Sequence, residues 1–382
     1  METVVLIVGA GPAGLATSAC LNLLSVPNVV LEREDCCASL WKKRAYDRLK
    51  LHIAKQFCEL PHMPYPSDAP TFIPRIRFIR YLDDYVSHFG ISPRHTRSVE
   101  SASYDAIAGK WHVKAMNTIT NVVEVYVAKF LVIATGENSK GFIPNFPGLG
   151  SFGGEFLHSC QYENGKRFSD KDVLVVGCGN SGMEISYDLS NWGARTSIVS
   201  RSPVHVLTKE IVFLGMCLLK FLPCSLVDTI VVMLSKLKHG KLSAYGLQRP
   251  TTGPFYLKAK TGRSPTIDVG AIDKIRKGEI QVFPSITNIM ENNIEFVNGK
   301  MNRFDAIIFA TGYKSTVQNW LKDGKGLFNE DGMPKRSFPD HWKGENGLYC
   351  AGFSSRGLLG ISEDAQNIAN DIKMVLSENK SG

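Results

Sequence analysis

The pattern of apolar and polar positions repeats in two parts of the chain. Residues 4–8 form an uninterrupted apolar run that precedes a glycine-rich turn and a helix-compatible stretch over residues 15–24. A second apolar run, over residues 173–176, precedes another such turn and a helix-compatible stretch over residues 183–192. Continuous apolar runs are typical of parallel strands that are buried on both faces of a sheet. The pattern therefore predicts two strand–turn–helix units of an α/β fold.

Both turns have the spacing G-x-G-x-x-G, in which each glycine has its own task. The first permits a tight turn, the second lets the backbone approach a pyrophosphate, and the third lets helix and strand pack closely. The helix N-terminus then attracts the phosphate charge. One such turn is a weak signal, but two in the same context are a strong one. The candidate binding residues are Gly9, Gly11, Pro12, Ala13 and Gly14 in the first turn, and Gly177, Cys178, Gly179, Asn180, Ser181 and Gly182 in the second.

The residue eighteen positions after each turn distinguishes the two nucleotides. Glu32 follows Gly14 at this spacing, and a carboxylate there accepts hydrogen bonds from a ribose and repels a 2′-phosphate. Ser200 follows Gly182 at the same spacing, and Arg201 comes next; a hydroxyl and a guanidinium suit the 2′-phosphate of NADPH. The alternatives are a solvated charge at Glu32 and a surface cation at Arg201. We predict FAD at the first turn and NADPH at the second.

The repetition continues and predicts the domain organisation. Each half has a buried strand that ends in Ala-Thr-Gly, where the chain can cross between domains. Short alternating segments before each strand predict a three-stranded meander, at residues 111–115 and 122–127 in the first half and at 281–283 and 294–297 in the second. The predicted fold class is α/β with two Rossmann-like dinucleotide-binding domains. The NADPH domain, residues 165–312, is inserted into the FAD domain, residues 1–164 and 313–382.

The C-terminal part is expected to complete the FAD domain. Residues 348–352 predict a last strand, and a final helix is predicted from residue 360 to about 376. The N-terminus of this helix can face the isoalloxazine ring and stabilise negative charge on reduced flavin. A capped helix with no role at the flavin is the alternative. The remaining predicted contacts are Trp41, Thr135, Gly136 and Asp364 for FAD, and Thr311 and Gly312 for NADPH.

The composition of the chain limits which classes of partner and which cellular compartment are expected. The net charge of +8 favours anionic partners such as dinucleotide phosphates or an acidic substrate. Lysines and arginines form no stripe interleaved with aromatic residues, so nucleic acid is not expected. The nine cysteines form no C-x-x-C pair, which indicates free thiols in a reducing, cytoplasmic compartment and argues against a disulfide reductase. The scattered histidines do not predict a metal site.

The sequence predicts no secretory signal and no membrane span. Met1 leads almost directly into an apolar strand, without a basic segment or a cleavage site. Residues 211–234 are apolar, but Lys220, Pro223 and Asp228 divide them into pieces shorter than the roughly 20 residues that cross a bilayer. A helical hairpin over the core is the preferred interpretation. Weak contact with a membrane, such as the surface of the endoplasmic reticulum, is the alternative.

Two further motifs give the chain a specific resemblance. Phe152, Gly154, His158 and Tyr162 match the pattern F-x-G-x-x-x-H-x-x-x-Y of flavin-containing monooxygenases, and residues 309–313 match the second signature of that family. Within the family the chain resembles the plant YUCCA group over nearly its whole length. The resemblance implies an enzyme that uses FAD, NADPH and O2 to decarboxylate indole-3-pyruvate oxidatively to indole-3-acetate, a step of auxin biosynthesis. The stretches that carry it are residues 46–52, 55–61, 134–138 and 173–184.

The predicted mechanism leaves the redox chemistry to the cofactors. NADPH reduces FAD, and a C4a-(hydro)peroxyflavin that is shielded from water attacks the ketone of the 2-oxo acid. His52 stands where broader monooxygenases carry an asparagine near the flavin, and a core histidine is its alternative role. Lys55 or Arg48 is expected to bind the substrate carboxylate, although such side chains are usually solvated. Asn138 completes the catalytic candidates.

Two other functions stay open at this stage. One is an N- or S-oxygenating monooxygenase of small nucleophiles, and the other is a non-catalytic, redox-sensing flavoprotein. The intact glycines of both turns argue against the second. Ala54 and Thr208 stand where the YUCCA group is expected to carry proline, which allows altered substrate handling. The sequence contains no feature that indicates the oligomeric state.

Overall fold

In the computed structural model, the backbone is described for residues 1–381 and the side chains for residues 1–378. The strands are β1 (Glu2–Val8), β2 (Asn28–Leu31), β3 (Arg97–Asp105), β4 (Lys110–Asn117), β5 (Val122–Ile133), β6 (Lys140–Gly141), β7 (Glu155–His158), β8 (Asp172–Val176), β9 (Arg195–Val199), β10 (Val206–Leu207), β11 (Thr266–Ile267), β12 (Ile280–Phe283), β13 (Ile286–Met290), β14 (Asn293–Phe296), β15 (Met301–Arg303), β16 (Ala306–Phe309), β17 (Tyr313–Lys314) and β18 (Leu348–Cys350). The α-helices are α1 (Pro12–Leu23), α2 (Ser39–Lys43), α3 (Arg75–His88), α4 (Asn180–Asn191), α5 (Lys209–Leu218), α6 (Cys224–His239), α7 (Pro254–Thr261), α8 (Ala271–Arg276) and α9 (Gly357–Ser381).

The chain forms two compact units whose boundaries differ from those predicted for the domains. The first unit comprises Met1–Lys43, Lys55–Lys140 and the chain from Tyr313 onward, and the second comprises Arg44–Ala54 and Gly141–Gly312. The second unit starts at residue 141 rather than 165 because β7 pairs in parallel with β16 of its sheet. Residues 44–54 also belong to it, since Tyr46 lies in its hydrophobic core.

The first unit contains a six-stranded sheet in the order β2-β1-β5-β4-β3, with β18 also paired to β5. β5 is parallel to β1 and β18 but antiparallel to β4, and β4 is antiparallel to β3. The alternating segment 122–127 and the buried run 130–133 are therefore parts of one strand. Helix α1 packs against α9, which begins at Gly357, three residues before the predicted start.

The second unit contains a five-stranded parallel sheet in the order β12-β9-β8-β16-β7. Its apolar strands are buried on both faces, as the continuous runs predicted. Residues 281–283, expected in the meander, belong to β12, which is parallel to β9. The meander consists of β13, β14 and β15. An edge strand has an exposed position such as Gln281, so its sequence alternates like that of a meander strand.

The apolar residues 211–234 form the predicted helical hairpin, α5 and α6. Thr208 caps α5 because its side-chain oxygen accepts a hydrogen bond from the Ile211 N–H. Asp228, which interrupts the apolar pattern, is buried and accepts hydrogen bonds from the Phe255 and Tyr256 N–H groups at the start of α7. In the part of the chain that the structure describes, no helix is long and apolar enough to cross a membrane.

Candidate functional site

The first glycine turn joins β1 to α1, and its glycines have unequal surroundings. Gly9 has a φ of +106°, and a Cβ there would lie 2.6 Å from the Ala134 carbonyl oxygen. A Cβ on Gly14 would overlap the Gly9 carbonyl oxygen, so helix and strand can pack only without it. A Cβ on Gly11 would meet nothing within 4 Å. The third and first glycines are thus required by the fold, whereas the second leaves space beside the helix N-terminus.

The end of β2 supports this turn through a buried carboxylate. Glu32 accepts hydrogen bonds from the N–H groups of Ala10, at 2.8 Å, and Glu34, at 2.9 Å. These two bonds hold the carboxylate directly beside the turn. The N-terminus of α1 has no side-chain cap, so its N–H groups are available to an anion. These features fit the pyrophosphate and ribose of a dinucleotide.

The Ala-Thr-Gly turn after β5 lies against the same glycines. The Thr135 N–H lies 3.2 Å from the position of a Cβ on Gly9, and Gly136 has a φ of +73°. The Thr135 hydroxyl oxygen is buried and has no hydrogen-bond partner among the described residues. A buried polar group in this situation is destabilising unless a ligand binds it. Asn138, the third catalytic candidate, is exposed two residues further along.

Asp364 and Trp41 occupy supporting positions in the first unit. The buried Asp364 carboxylate accepts a hydrogen bond from the Gly352 N–H at 2.9 Å and lies 3.0 Å from Nε2 of the buried His341. A Cβ on Gly352 would lie 2.9 Å from the Cβ of Ala13. The hydrogen bond from Gly352 to Asp364 therefore holds the backbone of Gly352 next to the first glycine turn. The Trp41 ring packs edge-on against Phe78, with ring centroids 4.6 Å apart.

The second glycine turn joins β8 to α4 and has the same geometry as the first. Gly177 has a φ of +115°, and a Cβ there would overlap the Ala310 carbonyl oxygen. A Cβ on Gly182 would overlap the Gly177 carbonyl oxygen, whereas a Cβ on Gly179 would meet nothing within 4 Å. Helix α4 also lacks a side-chain cap at its N-terminus. The residues of this turn therefore also fit a pyrophosphate.

The flanks of the second turn are held by contacts within the same unit. The Asn180 side-chain oxygen accepts a hydrogen bond from the Ile267 N–H at 2.7 Å, and the Thr266 hydroxyl donates to the Cys178 carbonyl at 3.1 Å. Desolvation raises the pKa of the Cys178 thiol to about 11, so it is no thiolate nucleophile at neutral pH. Ser181 follows Asn180 within the first turn of α4.

Ser200 and Arg201 follow the end of β9, next to the edge of the second sheet. The Ser200 N–H donates to the Phe283 carbonyl at 2.9 Å, which fixes the backbone, and the Arg201 side chain is exposed. An exposed guanidinium on a fixed segment of backbone is suited to bind a ribose 2′-phosphate.

The family signature around residues 152–162 supports the fold of this unit. Nε2 of His158 donates to the Gly312 carbonyl at 2.9 Å, and Thr311 donates to the Phe142 carbonyl. Burial lowers the pKa of His158, so the ring is neutral at neutral pH. A Cβ on Gly154 would overlap the Asp305 carbonyl oxygen. The signature thus positions the second Ala-Thr-Gly turn.

His52 lies in the second unit and contacts a carboxylate that belongs to neither glycine turn. Its Nε2 is 2.8 Å from Oε1 of Glu184, which is only 3% exposed. Glu184 belongs to α4, two residues after the last glycine of the turn. Lys209, at the start of α5, is half-buried, and that burial lowers its pKa, with Glu184 acting in the opposite direction. The helix that follows the second turn therefore contributes one carboxylate, Glu184, which pairs with the imidazole of His52.

The two candidates for the substrate carboxylate have different partners. Lys55 lies in the first unit, where its ammonium group donates to the Ala69 carbonyl at 2.7 Å and contacts two further carbonyls of the same loop. Arg48 lies in the second unit, with its guanidinium carbon 4.3 Å from the centre of the Tyr187 ring. Its Nη1 is buried and makes no hydrogen bond to the residues that the structure describes.

The chain is similar to known proteins along almost its whole length. Residues 2–343 match the family described as FMO-like, flavin-binding monooxygenase-like. The chain is 57% identical to a protein of Arabidopsis thaliana named probable indole-3-pyruvate monooxygenase YUCCA10, over 378 residues and 99% of each chain. It is 47% identical to indole-3-pyruvate monooxygenase YUCCA1 of Oryza sativa subsp. japonica, over 96% of this chain and 90% of that protein.

The fold is also found in solved structures. Oxidized steroid monooxygenase bound to NADP matches with a TM-score of 0.76 at 14% identity, over 100% of this chain and 86% of that one. At this level of identity the likeness concerns the fold alone, and it confirms the predicted fold class.

Proposed function

The chain belongs to the flavin-binding monooxygenase-like family, and from this premise we propose that it converts indole-3-pyruvate to indole-3-acetate. It is an oxidoreductase, a flavin-dependent monooxygenase. The proposed reaction consumes the 2-oxo acid, O2, NADPH and a proton, and it releases the shortened acid, CO2, NADP⁺ and water. The observation that supports indole-3-pyruvate as the substrate is the 57% identity to a protein named for this activity, over 99% of both chains.

The cofactors are FAD and NADPH, and the geometry supports a place for each. We propose that FAD binds the turn between β1 and α1, with Glu32 at its ribose and Thr135 as a further partner. NADPH is assigned to the turn between β8 and α4, with Ser200 and Arg201 at the 2′-phosphate. Bound at these two turns, the cofactors would supply hydride transfer and oxygen activation. The chain itself binds and orients the cofactors and the substrate, and it excludes water from them.

Within the second unit, we assign a positioning role to Glu184. Its carboxylate can only accept hydrogen bonds, so Nε2 of His52 carries the proton that joins them. This contact fixes the ring and leaves Nδ1 as the nitrogen that can accept a proton or a hydrogen bond. His52 is the candidate that holds or moves a proton, and Glu184 sets its orientation.

For the substrate carboxylate we propose Arg48 rather than Lys55. The buried Nη1 of Arg48 has no hydrogen-bond partner in the described chain, and an unsatisfied buried donor is destabilising. A carboxylate would satisfy the guanidinium in a bidentate geometry, while Tyr187 holds its plane. Lys55 already donates to loop carbonyls, which supports a structural role for it.

The experiment that tests the function measures NADPH oxidation by the purified, FAD-loaded protein with indole-3-pyruvate, and quantifies indole-3-acetate by mass spectrometry. We expect one indole-3-acetate for each NADPH consumed, with catalase present to remove peroxide. NADPH consumption that yields only hydrogen peroxide would overturn the substrate. Stimulation by amines or thioethers, and not by keto acids, would replace it with N- or S-oxygenation.

We further propose that the enzyme works in the cytoplasm. All nine cysteines are free thiols in the structure, and five of them are only partly buried. Free thiols that solvent reaches are typical of a reducing compartment. Contact with the surface of the endoplasmic reticulum through residues 211–234 is the finer proposal.

A further inference from the structure

The tripeptide Arg-Ser-Pro occurs twice in the second unit, and the structure brings the two copies together. The first Arg-Ser-Pro segment is residues 201–203, after β9, and the second is residues 263–265, before β11. They lead into β10 and β11, which pair in parallel. The guanidinium of Arg263 donates to the Pro203 carbonyl at 3.0 Å. The two segments therefore lie side by side.

The second Arg-Ser-Pro segment is also attached to the second glycine turn. The Asn180 side-chain amide donates to the Pro265 carbonyl at 3.5 Å, and its oxygen accepts from the Ile267 N–H at 2.7 Å. Ser264 precedes Pro265 directly. The Ser264 hydroxyl thus belongs to a stretch of coil that is fixed to the turn assigned to NADPH.

A charge at residue 264 would act on the proposed phosphate site. Arg201, which we place at the 2′-phosphate of NADPH, begins the neighbouring segment. Parallel strands lie about 4.8 Å apart and rise about 3.3 Å per residue, so Ser264 lies on the order of 10 Å from Arg201. That separation is comparable to the screening length of about 8 Å at physiological salt. Residues 229–267 contain seven lysines and arginines and no carboxylate, so the surrounding sequence attracts anions.

The two serines have the same neighbours in sequence but different surroundings. Ser264 is exposed on the coil between α7 and β11, whereas Ser202 is only partly exposed. The proline after Ser264 favours an extended backbone, the form in which a protein kinase binds its substrate. The Ser264 hydroxyl oxygen accepts a hydrogen bond from the Lys258 ammonium group at 2.8 Å. A phosphate on this oxygen would make that contact charge-assisted and stronger.

We propose that Ser264 is a phosphorylation site whose phosphate lowers the affinity of the second turn for NADPH. A proline-directed serine kinase supplies the reaction. The Ser264 oxygen attacks the γ-phosphorus of ATP, the bond to ADP breaks, and the hydroxyl proton passes to a base of the kinase. The product carries a charge of about −1.5 to −2 and three acceptor oxygens. It repels the 2′-phosphate and competes for the Arg201 guanidinium. This inference rests on the proposed place of NADPH.

The first experiment tests the site. The full-length, FAD-loaded protein is incubated with a proline-directed serine kinase, Mg²⁺ and ATP, and mass spectrometry locates the phosphate. We expect phosphate on Ser264 in the wild type and in S202A, and none at this position in S264A. Phosphate on Ser202 alone, or on neither serine, overturns the proposed site.

The second experiment tests the effect on nucleotide binding. Genetic encoding places phosphoserine at residue 264, and anaerobic stopped-flow reduction of the flavin gives Kd for NADPH and for NADH. We expect Kd for NADPH to rise at least about fivefold, because the two phosphates repel each other. NADH lacks the 2′-phosphate, so its Kd should change less than about twofold. An equal change for both nucleotides, or none for either, overturns the proposed effect.

Controls separate this effect from other causes. S264A should bind both nucleotides like the wild type, and S243D, which adds a charge at another exposed serine of residues 229–267, should leave Kd for NADPH unchanged. An equal loss in S243D would mean that the position of the charge is irrelevant and would overturn the proposal. If G179A weakens NADPH binding but phosphoserine does not, only the regulation is wrong. If neither weakens it, the proposed place of NADPH is wrong as well. Retained flavin absorbance verifies that each variant is folded.

Discussion

Gly11 and Gly14 stand in the same turn, but an alanine at each should have different consequences. In G14A the new methyl group overlaps the Gly9 carbonyl, so we expect a loss of about 2–4 kcal/mol in the free energy of unfolding. In G11A the methyl group meets no protein atom, so the stability should change by about 1 kcal/mol or less. FAD affinity should nevertheless fall at least about tenfold, because the methyl occupies the space beside the helix N-terminus.

Urea unfolding of the apoprotein and a fluorescence titration with FAD measure the two effects separately. G179A is the matched control in the second turn, where nothing surrounds a Cβ either. It should weaken NADPH binding and leave FAD binding unchanged. FAD affinity in G11A equal to that of the wild type would contradict the assignment of the first turn.

The contact between His52 and Glu184 predicts that the chemistry of residue 52 matters more than its size. In H52L the buried Glu184 carboxylate loses its partner, and we expect destabilisation of about 1–3 kcal/mol. In H52N an amide can still donate to Glu184, so stability should be largely retained. A proton-transfer role for Nδ1 predicts that H52N still has a lower kcat and an altered pH profile, with KM little changed. Thermal melts and pH–rate profiles test this; equal kcat in H52N and wild type would leave His52 a purely structural residue.

Arg48 and Lys55 give a paired test of how the substrate carboxylate is bound. R48M should raise KM for indole-3-pyruvate at least about tenfold, since a charge-assisted bidentate contact contributes about 1.5–3 kcal/mol. K55M should change KM little and instead lower stability, because the ammonium group holds the loop that includes Ala69. Steady-state kinetics at saturating NADPH measure both. A large rise of KM in K55M with none in R48M would reverse the assignment.

Among the secondary-structure elements, α7 depends on a residue of α6. The Asp228 carboxylate accepts hydrogen bonds from the Phe255 N–H at 2.8 Å and the Tyr256 N–H at 3.1 Å, and it is 6% exposed. D228A should destabilise the second unit by about 2 kcal/mol, because it removes a helix cap and leaves buried N–H groups unsatisfied. Hydrogen exchange should be accelerated at residues 255 and 256, whereas D273A, which changes an exposed acid of α8, serves as a control. Unchanged exchange at those two amides would refute the capping role.

The same elements indicate which parts of the fold could be predicted from the sequence. The strand–turn–helix units around Gly9 and Gly177 are each formed by residues that are close in sequence. The spacing of their glycines was therefore enough to predict both the turn and the type of ligand. The boundary at residue 141 depends on β7 pairing with β16, about 150 residues further along, and no local pattern carries that pairing. The partner of His52 was missed for the same reason. Glu184 is 132 residues away on a buried helix face, where its position alone gives no hint of a contact.

For the whole molecule, three buried histidines make stability depend on pH. Burial lowers the pKa of His158, His205 and His239, all in the second unit, so each is neutral in the folded chain at neutral pH. In the unfolded chain a histidine has a pKa of about 6.5 and binds a proton below that value. The unfolded state then holds more protons than the folded state, and stability falls as the pH falls.

This loss should begin as the pH falls below about 6.5, with a slope of up to about 1.4 kcal/mol per pH unit for each histidine. Carboxylates with lowered pKa values, such as Glu124 at about 2, contribute in the same direction only at lower pH, near and below their ordinary values. Urea unfolding at constant FAD concentration and three pH values measures the slope. H205Q keeps a donor for the Thr252 carbonyl but cannot titrate, so its slope should be shallower by the share of one proton. Stability that rises on acidification, or an identical slope in H205Q, would mean that the buried histidines are not what couples folding to pH.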